Sequence, residues 1–455
     1  MRASWLLSPL AAALLAPALG AAPPPDPVSP DAPAVARLVD AARSDGRAWQ
    51  RLEQLTDTFG HRLSGTPQLE AALRWAADEM RADGLDDVRL EPVTVPRWER
   101  GRESLELLSP VRQELVLLGL GNSVGTPPEG IEGGLLVVRS FEELDARAAE
   151  ARGRIVLYDV PYAGYGDTVR YRSQGASRAA RHGALAVLLR SVGPVGLRTP
   201  HTGALRYEPE LPQIPAAGIP VEDSERLRRL VERGLDVRLR LRMEARFLPE
   251  AQSANVIAEV RGREKPEEVV VIGGHSDSWD VGTGAMDDGG GCVMVWEAAR
   301  LIRALGLKPR RTVRVVLFTN EENGLRGGRA YRDAHQHETH VLALEADSGA
   351  FKPLGYGYTG PESGRAVLES VARLLKPLGP LTVEGEGRGA DTGPVIEATG
   401  APAASLRVDG DRYFIYHHTP ADTIDRLRRE DVQDGAAAIA ALAYVVADLP
   451  VRLGQ

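Results

Sequence analysis

The sequence predicts an α/β fold in which a mixed, mostly parallel sheet is sandwiched by helices, with a β-rich unit inserted in the chain. Three observations predict it. From Ser253 onward, short apolar runs alternate with helical stretches, the rhythm of a sheet flanked by helices. The runs VVVIGG, VRVVLF and HVLALEA are rich in β-branched or aliphatic residues, as buried strands are, and each then turns abruptly polar. Between about residues 105 and 246 the pattern changes to many short strands punctuated by glycine and proline.

Along the chain, residues 1–22 (MRASWLLSPLAAALLAPALGAA) combine one basic residue, an apolar stretch and small residues before a proline-rich spacer, the pattern of a secretory signal. Ser8, Pro9 and Pro17 interrupt the apolar stretch, which falls short of the roughly 20 residues a spanning helix needs. Cleavage near residues 20–22 is therefore expected, giving an exported protein, periplasmic or secreted, with no membrane partner after cleavage. Residues 23–105 form the first part of the main domain, with apolar side chains at helical spacing over residues 34–83 and a break at FGHRLSGTP. Residues 106–246 form the insertion, with strands in GGLLVVRS, RIVLYDV, ALAVLLRS and DVRLRLRM and a small-residue helix in SQGASRAARHGA. Residues 247–455 complete the main domain: strands in NVIAEV, EEVVVIGG, RTVRVVLF, HVLALEA and ASLRV, and helices in CVMVWEAARLIRAL, from Gly328, in ESGRAVLESVARLL and in DVQDGAAAIAALAYVVADL.

Composition excludes some functions. At 455 residues the chain has ample length for two cores. A formal charge of −8 spread over mixed residues, with no long single-sign block, gives no electrostatic case for a nucleic-acid partner. The only cysteine, Cys292, excludes an internal disulfide, so stability must come from core burial. Cys292 opens an apolar helix and reads as a buried small hydrophobe rather than a nucleophile.

The chemistry gathers at strand ends. Parallel strands share one edge at their carboxyl ends, so distant residues meet in one crevice. His275, the pair Glu321-Glu322, and Asp347 follow such strands, and Asp287 and His418 add a carboxylate and an imidazole. Zinc takes imidazole and carboxylate ligands at about 2.0 to 2.2 Å. Two imidazoles and three carboxylates are too many for one tetrahedral ion but suit two ions sharing a carboxylate, about 3.5 to 4 Å apart. Asp287 is the candidate bridge, because the glycines of GAMDDGGG let the backbone fold tightly around the ions. Glu321 and Glu322 are adjacent and point in different directions, so one can bind metal while the other moves a proton. Asp277, two residues after His275, is placed to hold that imidazole in the right tautomer.

Other clusters carry less. AHQHETH, with His335, His337 and His340, is expected to be a solvated helix end, and of His417 and His418 at most one is a primary ligand. GEGRGADTG is expected to be a flexible wall of the cleft, with Arg388 and Asp391 touching substrate. FGHRLSGTP lacks a nucleophile elbow, so Ser64 is not read as catalytic.

The segments GGHSDSWDVGTGAMDDGGG, TNEENG, EADSGAF and YHHTPADT resemble the metal-site motifs of the M28 family of zinc peptidases, most nearly its carboxypeptidase branch. The resemblance spans residues 55–449 and implies a zinc-exopeptidase, phosphorylase/hydrolase-like fold in which the insertion is a protease-associated (PA) domain. It makes His275 and Asp347 terminal ligands of one zinc, Glu322 and His418 ligands of the other, Asp287 the bridge and Glu321 the general acid/base. His418 is preferred to His417 because the family's ligand directly precedes a run like Thr419-Pro420-Ala421-Asp422-Thr423. The resemblance also implies a cis Asp287–Asp288 peptide, a peptide substrate and a homodimer. Two departures stand out: Asn323 replaces a usual Gln, and Thr419-Pro420-Ala421 replaces Ser-His-Gly. The expected function is an exported di-zinc exopeptidase acting on dipeptides or short peptides, with an aminopeptidase, a one-zinc glutaminyl-cyclase-like enzyme and a non-catalytic receptor as the competing readings.

Overall fold

A run such as Arg311–Phe318, in which every residue is buried, needs cover on both faces of its sheet. The computed structural model, which describes residues 31–454, supplies it. The signal expected over residues 1–22 lies outside the described residues. The eight-stranded main sheet runs in the order Asp86–Glu99, Arg246–Val260, Arg311–Phe318, Lys265–His275, Thr339–Glu345, Ala403–Arg407, Gly355–Thr359, Thr382–Val383. The central four strands are parallel, and antiparallel pairs flank them. Helices Gly290–Ala304 and Arg429–Asp448 pack against one face, and Ala32–Ser44 packs on those two helices. Arg326–His335 and Gly393–Thr399 cover the other, around Phe318, Tyr331 and Val395. Cys292 is buried as expected, its thiol donating to the His275 carbonyl at 3.0 Å. Among the described residues, no helix is long and apolar enough to cross a membrane.

Residues 103–243 build a second eight-stranded sheet with its own apolar layers on both faces. The chain leaves the main sheet along Asp86–Glu99 and returns along Arg246–Val260. These two strands pair antiparallel as far as Glu99 and Arg246, and the pairing resumes in the second sheet with Glu103 opposite Met243. Both connections thus belong to one ladder, which ties the two units together.

The outgoing strand is a correction, because the sequence pattern placed no strand between residues 83 and 105. Its side chains alternate without a clean apolar face and include Pro92 and Pro96. Proline cannot donate to a ladder and is confined to edges, and this strand is the outer edge of the sheet.

AHQHETH is a second correction. Only His337 is exposed, while His335 and His340 are buried, because helix Arg326–His335 packs against the unforeseen edge strand. His335 Nε2 lies 3.0 Å from both Glu91 carboxylate oxygens, and its Nδ1 lies 3.0 Å from Glu338. Arg314 and the Tyr331–His340 pair surround it. Burial opposes the imidazolium, but Glu338 and Glu91 outweigh it and hold the His335 pKa above its ordinary value of 6.5. A raised pKa contributes stability that is fully present below the unfolded value and is lost as pH rises through the folded one. His335→Gln should therefore destabilise the fold by roughly 1 to 2 kcal/mol more at about pH 6 than at about pH 9 in urea denaturation. An equal loss at both pH values would show that His335 carries no charge in the fold.

Candidate metal centre

Three strand ends set the frame. Lys265–His275 ends on His275, with Phe318 beside it in register, and Gly273 lies opposite Glu345. Past Phe318 the chain turns at Asn320, whose φ of 65° is a left-handed conformation that asparagine tolerates. The turn aims two amides at one acid: Glu321 N–H and Glu322 N–H donate to the Asp277 carboxylate at 3.0 and 3.3 Å. Ser64 Oγ donates to it at 3.0 Å. Asp277 therefore organises the glutamate loop with its carboxylate. The His275 Nδ1 instead faces the Asp277 backbone carbonyl at 3.0 Å, with the carboxylate 3.8 Å away. Asp277 thus orients the imidazole through its main chain, since three donors already occupy its side chain.

Asp287 sits in the turn before helix Gly290–Ala304, and two buried acids fix that turn. Asp422 accepts from Ala285 N–H and Met286 N–H at 2.9 and 2.8 Å. Asp288 accepts from His275 N–H at 3.0 Å and Gly291 N–H at 3.1 Å. The Asp287–Asp288 peptide is cis. Gly291 permits the close approach, because a Cβ there would lie 1.8 Å from the Ala346 carbonyl oxygen.

The six residues drawn from the sequence meet here. Asp287 reaches two imidazoles, its Oδ1 lying 3.1 Å from His275 Nε2 and its Oδ2 3.2 Å from His418 Nε2. Asp347 Oδ1 is 3.6 Å from His275 Nε2, and Glu322 Oε2 is 3.0 Å from His418 Nε2. Glu321 lines the same cleft. His417 stacks on His418 at 4.0 Å between ring centroids, and its Nδ1 is buried without a partner.

The side chains fit a metal. Asp287 Oδ2, Glu322 Oε1 and Asp347 Oδ1 are buried without hydrogen bonds, a costly arrangement unless a cation meets them. Tetrahedral bonds of about 2.0 to 2.1 Å put neighbouring donor atoms about 3.3 to 3.4 Å apart, and the separations above bracket that distance. Donor atoms of His275, Asp287 and Glu322 lie within 4.8 Å of one another, as do those of His275, Asp288 and Asp347 and those of Asp287, His417 and His418. Asp288 is the addition the sequence did not suggest. The charges confirm the crowding. Burial resists ionisation of Asp287, yet His275 and His418 hold it well below the carboxylate range. Burial, reinforced by Asp287, raises Glu322 to about 7, and burial with Asp347 and Glu322 holds Glu321 well above its ordinary value.

The centre forms the floor of a cleft of about 860 Å³ between the two units, with Asn122, Tyr165, Arg172 and Arg206 of the insertion opposite the metal-site residues. Arg388 is not in it: its side chain is 78% exposed and pairs with Glu386. Asp391 is a further correction. It is fully buried behind the wall, where burial and then the Glu345 and Glu321 charges push its pKa well up. Arg172 is the residue the sequence reading missed. It is buried, its Nη2 donates to Tyr165 at 2.9 Å, its Nη1 lies 3.2 Å from His418 Nδ1, and its Nε has no partner. Among the described residues no carboxylate pairs with it. A signal existed, since Arg172 interrupts the buried stripe of Thr168, Gly175, Ala176 and Ala179 in helix Tyr165–Arg181.

Comparison with known proteins agrees with this architecture. The model of Peptidase family M28 matches residues 255–443. Human carboxypeptidase Q is 46% identical over 424 residues, covering 93% of this chain and 90% of that protein. Aminopeptidase YwaD of Bacillus subtilis is 25% identical over 414 residues, covering 87% and 84%. Among solved structures, a peptidase M28 precursor from Shewanella amazonensis superposes with a TM-score of 0.88 at 37% identity, covering 93% of this chain and 98% of that one. A zinc aminopeptidase from Bacillus subtilis, at 22% identity with a TM-score of 0.67 over 90% of this chain and 97% of that one, shares the fold. The chain is a peptidase, and it belongs to peptidase family M28.

Proposed function

We propose that the protein is an exported di-zinc exopeptidase that cleaves dipeptides or short peptides in carboxypeptidase fashion. The observation that carries this reading is Asp287, whose two oxygens each face a different histidine within 3.2 Å. In this reading His275 and Asp347 hold one zinc, Glu322 and His418 the other, and Asp287 is shared. Zinc bound there would supply Lewis acidity, lowering the pKa of a water and polarising the peptide carbonyl. The chain's own residues do the rest. Glu321, its backbone anchored on Asp277, takes the proton of the attacking water and returns it to the leaving amine. The insertion, read as a PA domain, roofs the cleft and narrows access for long chains.

Arg172 supports recognition of a free carboxyl end. A buried guanidinium without a counter-ion is costly, and a substrate carboxylate entering the cleft would relieve it. The similarity to carboxypeptidase Q points the same way. The aminopeptidase reading rests on relatives such as YwaD and would require cleavage to depend on a free amine.

Glu321→Gln should keep full zinc content while kcat falls about 10²- to 10⁴-fold, since only proton transfer is removed. Metal analysis showing lost zinc would instead make Glu321 a ligand. Asp287→Ala should lose zinc from both positions, and a variant still holding two ions would exclude the bridge. Product analysis with a free dipeptide and its N-acetylated and C-amidated forms should show cleavage of the first two only. Cleavage of the free and amidated forms alone would make the enzyme an aminopeptidase.

A further inference from the structure

We infer that the inserted unit aims one of the two metal-binding imidazoles, through a main-chain clasp on His418 that Gly203 makes possible. The inference rests on the reading of His418 as a ligand. Thr202 N–H donates to the His418 carbonyl at 2.9 Å, and the Thr202 carbonyl lies 3.3 Å from His418 Nδ1. His418 itself has a left-handed φ of 61°. One residue of the insertion thus grips both the backbone and the ring of a residue in the main domain.

The clasp is braced from both units. Thr202 Oγ1 donates to the Gly119 carbonyl at 2.7 Å and accepts from Arg100 at 3.4 Å. Arg100 pairs in turn with Asp280, in the loop that follows His275, at 2.5 Å. Gly203 has a φ of 122°, and a Cβ there would lie 2.3 Å from Arg172 Nη1 and 2.7 Å from His418 Nδ1. A side chain at this position would have to push the imidazole or the guanidinium aside.

A ligating imidazole needs an acceptor for its second N–H, which fixes the tautomer and leaves the other nitrogen for the metal; losing such a partner typically lowers metal affinity 10- to 100-fold. Thr202 O is that acceptor for His418. The Arg172 guanidinium can only donate, so beside a protonated Nδ1 it serves Thr202 O, 3.5 Å away, and Tyr165. The other imidazole is independent of the insertion, because His275 takes its acceptor from Asp277, two residues on. Thr202 and Gly203 are therefore positioning residues for one metal site only.

The test is chelator competition on zinc-loaded wild type and Gly203→Ala. The variant should bind one zinc about 10- to 100-fold more weakly and the other as tightly as wild type, with turnover restored by excess zinc. Two unchanged affinities, or both weakened equally with a lower melting temperature, would overturn the inference. If Gly203→Ala does not fold, ¹H–¹⁵N spectra of zinc-loaded wild type decide. A His418 signal, assigned by its loss in His418→Gln, with the proton on Nδ1 supports the clasp, and a bare Nδ1 overturns it. Wild type that takes up no zinc would overturn the metal reading and the inference with it.

Discussion

The centre depends on burying a crowd of carboxylates without letting them repel one another apart. Four accept hydrogen bonds from the backbone, two amides apiece: Asp277 from Glu321 and Glu322, Asp288 from His275 and Gly291, Asp422 from Ala285 and Met286, Glu345 from Asp391 and Thr392. Each pair pins a loop at a strand end, so the acids that appear superfluous to chemistry are the ones that hold the site's shape. Glu322 and Asp347 each keep a buried oxygen without a hydrogen bond, and Asp287 Oδ2 faces only the His418 imidazole. The division separates acids satisfied by protein from acids awaiting a cation, and it falls along the proposed ligand set. Asp391 is the exception, with both oxygens unpartnered and its pKa pushed well up by burial. It lies behind the cleft wall, outside the proposed ligand set.

Such a site cannot be built on one strand end. Backbone amides are fixed in number, and each acid that consumes two of them needs its own loop. The parallel strands supply those loops on one edge of the sheet. The insertion then closes the open side, through the ladder that carries Asp86–Glu99 and Arg246–Val260 from one sheet into the other. Loop, floor and roof are consequences of the same demand for donors and exclusion of water.

This explains what was legible in the sequence. A buried strand that ends in Asp, Glu or His leaves a sharp local signal, so His275, Glu321, Glu322 and Asp347 could be read directly from the runs before them. The mixed sheet and most of its strands followed from the same runs. Features set by distant neighbours left no such trace. The edge strand Asp86–Glu99 has one partner and two prolines, and its absence from the reading made the buried His335 look like surface. Arg388 and Asp391 share a glycine-rich loop, but whether a side chain faces the cleft depends on Glu345 and on the backbone around Ala403, far away in the chain. Arg172 was visible only as a charge on an apolar stripe, and it gains meaning from His418, 246 positions later.

The same distinction runs through the metal centre itself. The half around His275 is nearly local: Asp277, Asp287, Asp288 and Gly291 all lie within one short segment, and Asp347 joins from the neighbouring strand. The half around His418 draws on Glu322, Asp287 and, through Thr202, a separate unit of the fold. Contacts of long sequence separation form only after the loops between them close, at an entropic cost that local contacts avoid. The His275 half draws its partners from the main domain, while the His418 half also needs the insertion in place. The cleft that draws on both halves is therefore complete only when its roof is in place.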